Sequence, residues 1–267
     1  MSANPQTTQP ESILLREDRE GVAMLTLNRP AQFNSLSQAM LVELQKALDA
    51  IAGDANVRAV VIAGAGKAFC AGHDLKEMRA KREPGFIRGL FDQCSAMMLT
   101  LTRMPQPVIA RVHGIATAAG CQLVSMCDLA VASETARFAT SGINVGLFCA
   151  TPGVGLSRNV SRKHAMEMLL TGDFIDAATA MEYGLVNRVV AAQELDQAVL
   201  DLARAIAAKP QVAIAAGKRM FYRQLELGFE DAYALAAETM ACNMMAEDAA
   251  EGIDAFIGKR SPIWKGR

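Results

Sequence analysis

The chain has 267 residues, 51% apolar and 21% charged, with 27 basic against 28 acidic side chains. This is the composition of an ordinary globular protein with a sizeable core, and it excludes a disordered chain. A net charge of −1 and basic runs no longer than pairs such as Lys81-Arg82 and Lys259-Arg260 exclude a nucleic-acid footprint, and every long apolar stretch is interrupted well short of the roughly 18 residues that cross a bilayer.

Residues 1–11 are polar and rich in Pro, Gln and Thr, which predicts a disordered tail. Ile13 to Arg16 and Val22 to Leu27 read as two strands of a hairpin around the charged turn Glu17 to Gly21. From the N-cap type residue Ser37, apolar positions Met40, Leu41, Leu44, Ala47, Leu48 and Ile51 follow helical spacing up to Gly53. Arg58 to Ala63, Pro107 to Val112 and Asp128 to Ala132 are short apolar runs that suit strands buried on both faces, with a helix at Ala118 to Met126 between the last two. Strands alternating with helices predict an α/β fold. Past Pro152 the balance shifts: Arg162 to Leu170, Ala177 to Tyr183, Glu194 to Ala208, Val212 to Leu225 and Phe229 to Met245 read as helices, with one strand at Val186 to Val190.

Six cysteines at irregular spacings, with no C-x-x-C pair, read as free thiols, and the start of the chain lacks the features of a leader or transit peptide; the expected location is the cytoplasm. The usual motif searches return little. Gly64-Ala65-Gly66-Lys67 lacks both the leading Gly and the closing Ser/Thr of a phosphate loop, since Val61 and Ala68 stand there. His73, His113 and His164 are too far apart in sequence to form a zinc ligand pair, so no metal is expected. Cys149 reads as a small core thiol.

Two segments carry more information: Ala68-Phe69-Cys70-Ala71-Gly72-His73-Asp74-Leu75 and Gly114-Ile115-Ala116-Thr117-Ala118-Ala119-Gly120-Cys121-Gln122-Leu123. Both place small residues where the chain leaves a buried strand and turns toward a helix. Small residues allow close backbone approach, and the first N–H groups of a helix lack intrahelical partners and carry the positive end of its dipole. Such groups suit an oxyanion.

On these residues the sequence resembles the crotonase superfamily, the enoyl-CoA hydratase/isomerase family. The resemblance runs from about Ser12 to Arg267 and takes in Leu27-Asn28-Arg29-Pro30, the AFCAGHDL and AAGCQL segments, Cys127-Asp128, Thr151-Pro152-Gly153-Val154-Gly155 and the ending Ala255 to Arg267. It implies a core of repeated ββα units over residues 12–200, a helical trimerisation region over 201–267, and a homotrimer or a hexamer made of two trimers. It implies a coenzyme A thioester as ligand, coenzyme A being part of the substrate, with no other cofactor. By position it puts the two oxyanion amides on Ala71 and Ala119, and thioester contacts on Ala71, Gly72, His73, Asp74, Ala119 and Gly120. Of the basic pair Lys259-Arg260 near the end of the chain, Lys259 is a candidate contact to a CoA phosphate.

The two proton-handling glutamates of the family's hydratases fall on Gln122 and Gly142. Neither residue exchanges a proton near neutral pH. Three readings follow: an enzyme acting on a different acyl-CoA with another proton-transferring group, for which His73, Asp74, Ser141, Asn144 and Cys149 are candidates and His73 the most attractive; a protein that binds acyl-CoA without turnover, its pocket enlarged at Gly142; or a slow hydratase or isomerase supported by the oxyanion amides and a water held by Gln122.

Overall fold

The expected hairpin opens the fold of this computed structural model, which describes residues 12–267; the expected tail over 1–11 lies outside the described residues. β1 (Leu14–Arg19) pairs antiparallel with β2 (Val22–Leu27). The turn is shorter than expected, only Glu20-Gly21, whose φ angles of 53° and 77° form the two-residue corner that matches strand twist. β1 therefore runs on through Glu17 to Arg19, which an edge strand permits because its side chains stay in water.

α1 (Gln38–Ala52) starts where expected, with Ser37 Oγ accepting from the Met40 N–H at 3.3 Å, and buries Met40, Leu41, Leu44, Leu48 and Ile51. Three similar units follow. The first is β3 (Ala59–Gly64), β4 (Ala68–Cys70), α2 (Leu75–Ala80) and α3 (Pro84–Arg103); the second is β5 (Val108–Val112), β6 (Ile115–Thr117) and α4 (Ala119–Met126); the third is β7 (Leu129–Ser133), β8 (Arg137–Ala139) and α5 (Ala150–Asn159). The first strand of each unit enters a six-stranded sheet of order β1-β2-β3-β5-β7-β10, and the second enters a four-stranded sheet of order β4-β6-β8-β9. The chain continues through α6 (Arg162–Thr171), β9 (Ile175–Asp176), α7 (Ala177–Glu182), β10 (Arg188–Val190), α8 (Leu195–Ala207), α9 (Gln211–Gln224), α10 (Phe229–Met244) and α11 (Glu247–Ile257).

The large sheet is parallel from β2 to β10, and the small one is parallel from β4 to β8. β3 is buried along its whole length, as its β-branched run predicts. One face of the large sheet meets α8 through Leu195, Val199 and Ala203, packed with Val61, Ile109 and Val131. The expected boundary at 200/201 thus falls inside a helix that belongs to the core; the chain leaves the sheet only after Ala207.

α9 is fastened to the core by a buried cation. Lys218 Nζ donates to the carbonyls of Leu101 and Gln106 and to Asp128 Oδ2 at 2.7–2.8 Å, while Tyr222 donates to Asp128 Oδ1 at 2.9 Å. Beyond it, α10 and α11 leave large apolar groups in water: Phe229, Met245 and Phe256 are at least 85% exposed. Among the described residues no helix is long and apolar enough to cross a membrane.

Candidate active site

Both informative segments lie at the carboxyl ends of small-sheet strands, one after β4 and one after β6, which pair in parallel. Past β4, His73 forms an isolated parallel bridge with Leu36: the Leu36 N–H donates to Gly72 O at 2.7 Å and the Asp74 N–H to Leu36 O at 3.3 Å. Extended backbone alternates, so the His73 N–H must point the other way. The Ala71 N–H donates to Phe33 O at 3.0 Å. Assignment of the first oxyanion amide to Ala71 is therefore corrected: that amide is engaged, and the amide left without an acceptor among the described residues is two positions on, at His73.

Past β6, Ala118 has φ 51° and ψ −120°, a corner that glycine ordinarily occupies. Its N–H donates to Ala139 O and its carbonyl accepts the first helical bond of α4 from Gln122, so both ends of the strained residue are held. Ala119 is the next residue and the first of α4; its N–H has no acceptor among the described residues. The two segments touch through Gly72, φ 89°, where an added Cβ would lie 2.9 Å from Ala118 Cβ and 3.2 Å from the Ala119 nitrogen. Gly120 packs as closely on β4, since a Cβ there would lie 2.0 Å from Cys70 O. The small residues noticed in the sequence thus set two backbone amides side by side, at the positive end of a helix.

Gln122 is buried, and its Oε1 has no partner among the described residues. Helical side chains lean toward the N-terminus, so Gln122 lies back over the turn that carries Ala119. A carbonyl oxygen left bare in the interior costs roughly 1–3 kcal/mol, which a fold retains where a ligand will meet it.

The expected space at Gly142 is absent. After β8 the chain makes a short 3₁₀ turn, Ser141 to Val145, and doubles back so that the Leu147 N–H donates to Gly142 O at 2.9 Å. A Cβ on residue 142 would meet Leu147 O at 2.6 Å and Cys149 Sγ at 2.8 Å. The place of a side chain at 142 is taken by the Cys149 thiol, which burial raises above its ordinary pKa. Ser141 joins this turn to β6, its Oγ lying 2.7 Å from Thr117 Oγ1.

The His73 side chain turns to α3: Nδ1 lies 3.3 Å from Leu36 O, the ring meets Phe91 edge-on, and Nε2 is buried without a partner among the described residues. Burial pushes its pKa down, so the imidazole is neutral near pH 7. Asp74 caps α2, accepting from the Lys76 and Glu77 N–H groups at 3.2 Å, and pairs with Arg29 at 3.1 Å. Burial opposes its ionisation, but the Glu77 N–H and Arg29 outweigh it and hold the carboxyl below its usual range. Asp74 thus braces the turn that presents His73. Asn144 Nδ2 donates to Gly172 O and braces the 3₁₀ turn against α6. Lys259 is exposed beyond α11, and no hydrogen bond or ion pair ties it to residues 71–74. Phe33 is 53% exposed and sits at a left-handed position ending a 3₁₀ turn. Among the described residues no group of three His, Cys, Asp or Glu side chains is placed to hold a metal.

Comparison with known proteins gives a consistent result. The profile of the enoyl-CoA hydratase/isomerase family matches residues 17–267. The chain is 44% identical to the mitochondrial enoyl-CoA hydratase domain-containing protein 3 of Xenopus laevis over 96% of its own length and 86% of that protein's. It is 36% identical to 2,3-dehydroadipyl-CoA hydratase of Escherichia coli strain K12, covering 96% of this chain and 99% of that one. A solved enoyl-CoA hydratase of Mycobacterium smegmatis superposes with a TM-score of 0.94 at 60% identity, covering 95% of this chain and 99% of that one. The Xenopus protein and its rat and human counterparts are named as mitochondrial. That finding overturns the cytoplasmic expectation, which rested only on the character of the first residues.

Proposed function

The chain belongs to the enoyl-CoA hydratase/isomerase family and has its crotonase fold, and from that premise we propose that it binds an acyl-CoA thioester with the carbonyl oxygen between the N–H groups of His73 and Ala119. The observation that carries this reading is the pair of acceptor-free amides brought together by Gly72. Two such donors polarise the thioester and stabilise the enolate that forms when a bond at the α-carbon is made or broken; one donor of this kind is worth about 3–4 kcal/mol. The chemistry is of the hydratase, lyase or isomerase type at the α and β carbons of a fatty or related acyl-CoA, and needs no metal or redox cofactor.

Gln122 orients the substrate or a water through Oε1, which enters the reaction as an acceptor only. The exposed apolar residues of α10 and α11, Phe229, Met245 and Phe256, support assembly into a trimer or a pair of trimers. In such an assembly Lys259 reaches a CoA phosphate of its own or a neighbouring subunit. A second reading, binding without turnover, is favoured by one observation: positions 122 and 142 present an amide and a backbone where acid–base work would need a carboxyl group.

The test is incubation of the purified protein with saturated, 2-enoyl and 3-enoyl-CoAs of several lengths, following binding by calorimetry and products by mass spectrometry. Turnover lost with Gln122→Ala supports the enzyme; tight binding without product supports the binding protein. Absence of both overturns the thioester reading.

A further inference from the structure

We propose that Cys149 is the proton-transferring residue of this site. The inference rests on the acyl-CoA reading above and names the group that serves its α-carbon. Cys149 Sγ lies 2.8 Å from where a Cβ of residue 142 would stand, so the 142–149 segment brings a side chain from seven residues away into that place. The segment is held in this shape by the doubling back that puts the Leu147 N–H on Gly142 O. The position belongs to the candidate site through Ser141, whose hydroxyl lies on Thr117, the residue before Ala118 and Ala119.

A second feature points to a ligand here. Gln122, 4% exposed, leans back over the Ala119 turn with its Oε1 unpartnered among the described residues. Its neighbour Cys121 lies near enough to Cys149 for that thiol to disfavour ionisation of Cys121. A buried thiol on the segment hydrogen-bonded to Thr117, an acceptor without a partner and two amides without acceptors among the described residues form a set of groups that an acyl thioester completes.

The step balances within the site. With an enolate on the two amides, the Sγ–H bond breaks and the proton goes to the α-carbon, whose new C–H bond takes the enolate electron pair. The negative charge moves from the thioester oxygen to the sulfur. In reverse, the thiolate takes an α-proton and the enolate reforms. No oxidant or second substrate is involved. A single group of this kind suits proton exchange and isomerisation, in which one proton is lifted and returned, better than hydration, which distributes two.

The experiment is α-hydrogen exchange of butyryl-CoA in D2O, read by mass spectrometry, with calorimetry on the same samples. The expected result is deuterium uptake by the unmodified protein, slowed by about 10² or more in Cys149→Ala, with butyryl-CoA affinity retained and with Cys121→Ser exchanging as the unmodified protein does. Exchange that survives Cys149→Ala but falls with His73→Gln overturns the assignment. Binding without exchange in the unmodified protein overturns it while leaving the acyl-CoA reading intact. Failure to bind any acyl-CoA overturns that reading, and this inference with it.

Discussion

Gly72 and Ala119 approach so closely that a Cβ on residue 72 would lie 3.2 Å from the Ala119 nitrogen and 2.9 Å from Ala118 Cβ. At φ 89° that Cβ is also conformationally disfavoured. Gly72→Ala should therefore destabilise the fold by about 2 kcal/mol, since the left-handed backbone alone costs roughly 1–2 kcal/mol. It should weaken acyl-CoA binding by about tenfold or more, because the two amides are pushed apart. Urea unfolding and calorimetry measure the two effects separately.

Ala118 holds the corner from which Ala119 is presented, at φ 51° and ψ −120°. Strain of this kind costs roughly 1–3 kcal/mol, against about 0.5–1 kcal/mol for the extra chain entropy of glycine. Ala118→Gly should accordingly stabilise the protein by about 1 kcal/mol in urea unfolding, leaving both amides in place.

Gln122 carries a buried oxygen without a partner among the described residues. If a ligand meets it, removing the oxygen should help the free protein and harm the complex. Gln122→Leu is expected to raise unfolding stability by about 1 kcal/mol and to lower acyl-CoA affinity or turnover. An unchanged melting temperature together with unchanged binding would count against a ligand contact.

Asp74 ties its pKa to stability. The folded carboxyl lies below its ordinary value, so the unfolded chain binds more protons between the two values, and stability rises with pH across that interval. The contribution is complete above the unfolded carboxyl value of about 4 and is lost as pH falls through the folded one. Urea midpoints measured from pH 7 downward should show a shallower acid limb for Asp74→Asn than for the parent.

Lys218 is buried on three oxygens, those of Leu101, Gln106 and Asp128. Lys218→Met leaves the Asp128 carboxylate with one cation fewer and should cost about 3–5 kcal/mol. The loss should appear as a lower urea midpoint and as early proteolysis in α9 to α11, which that lysine holds to the core.

The sequence by itself determined the parts of this protein that depend on near neighbours. The period of the apolar residues specified α1, and β-branched runs specified the buried strands β3 and β5, because each pattern states which face meets the core. The paired small-residue turns pointed to residues 68–75 and 114–123, where two amides are left without acceptors among the described residues, and the identities at 122 and 142 already excluded a carboxylate pair. Tertiary structure alone decided the rest. β4, β6, β8 and β9, two or three residues each, are too short to carry a period, and they form a sheet only because the longer strands bring them together. Which amide lacks an acceptor among the described residues depended on contacts that no local pattern encodes: Phe33 O takes the Ala71 N–H across 38 positions, and the bridge between Leu36 and His73 leaves the His73 N–H facing away. The space that Gly142 suggests in the sequence is closed by Leu147 and Cys149 because the segment folds back on itself. A residue type states what chemistry is possible at a position, and the path of the backbone states which groups are left to perform it.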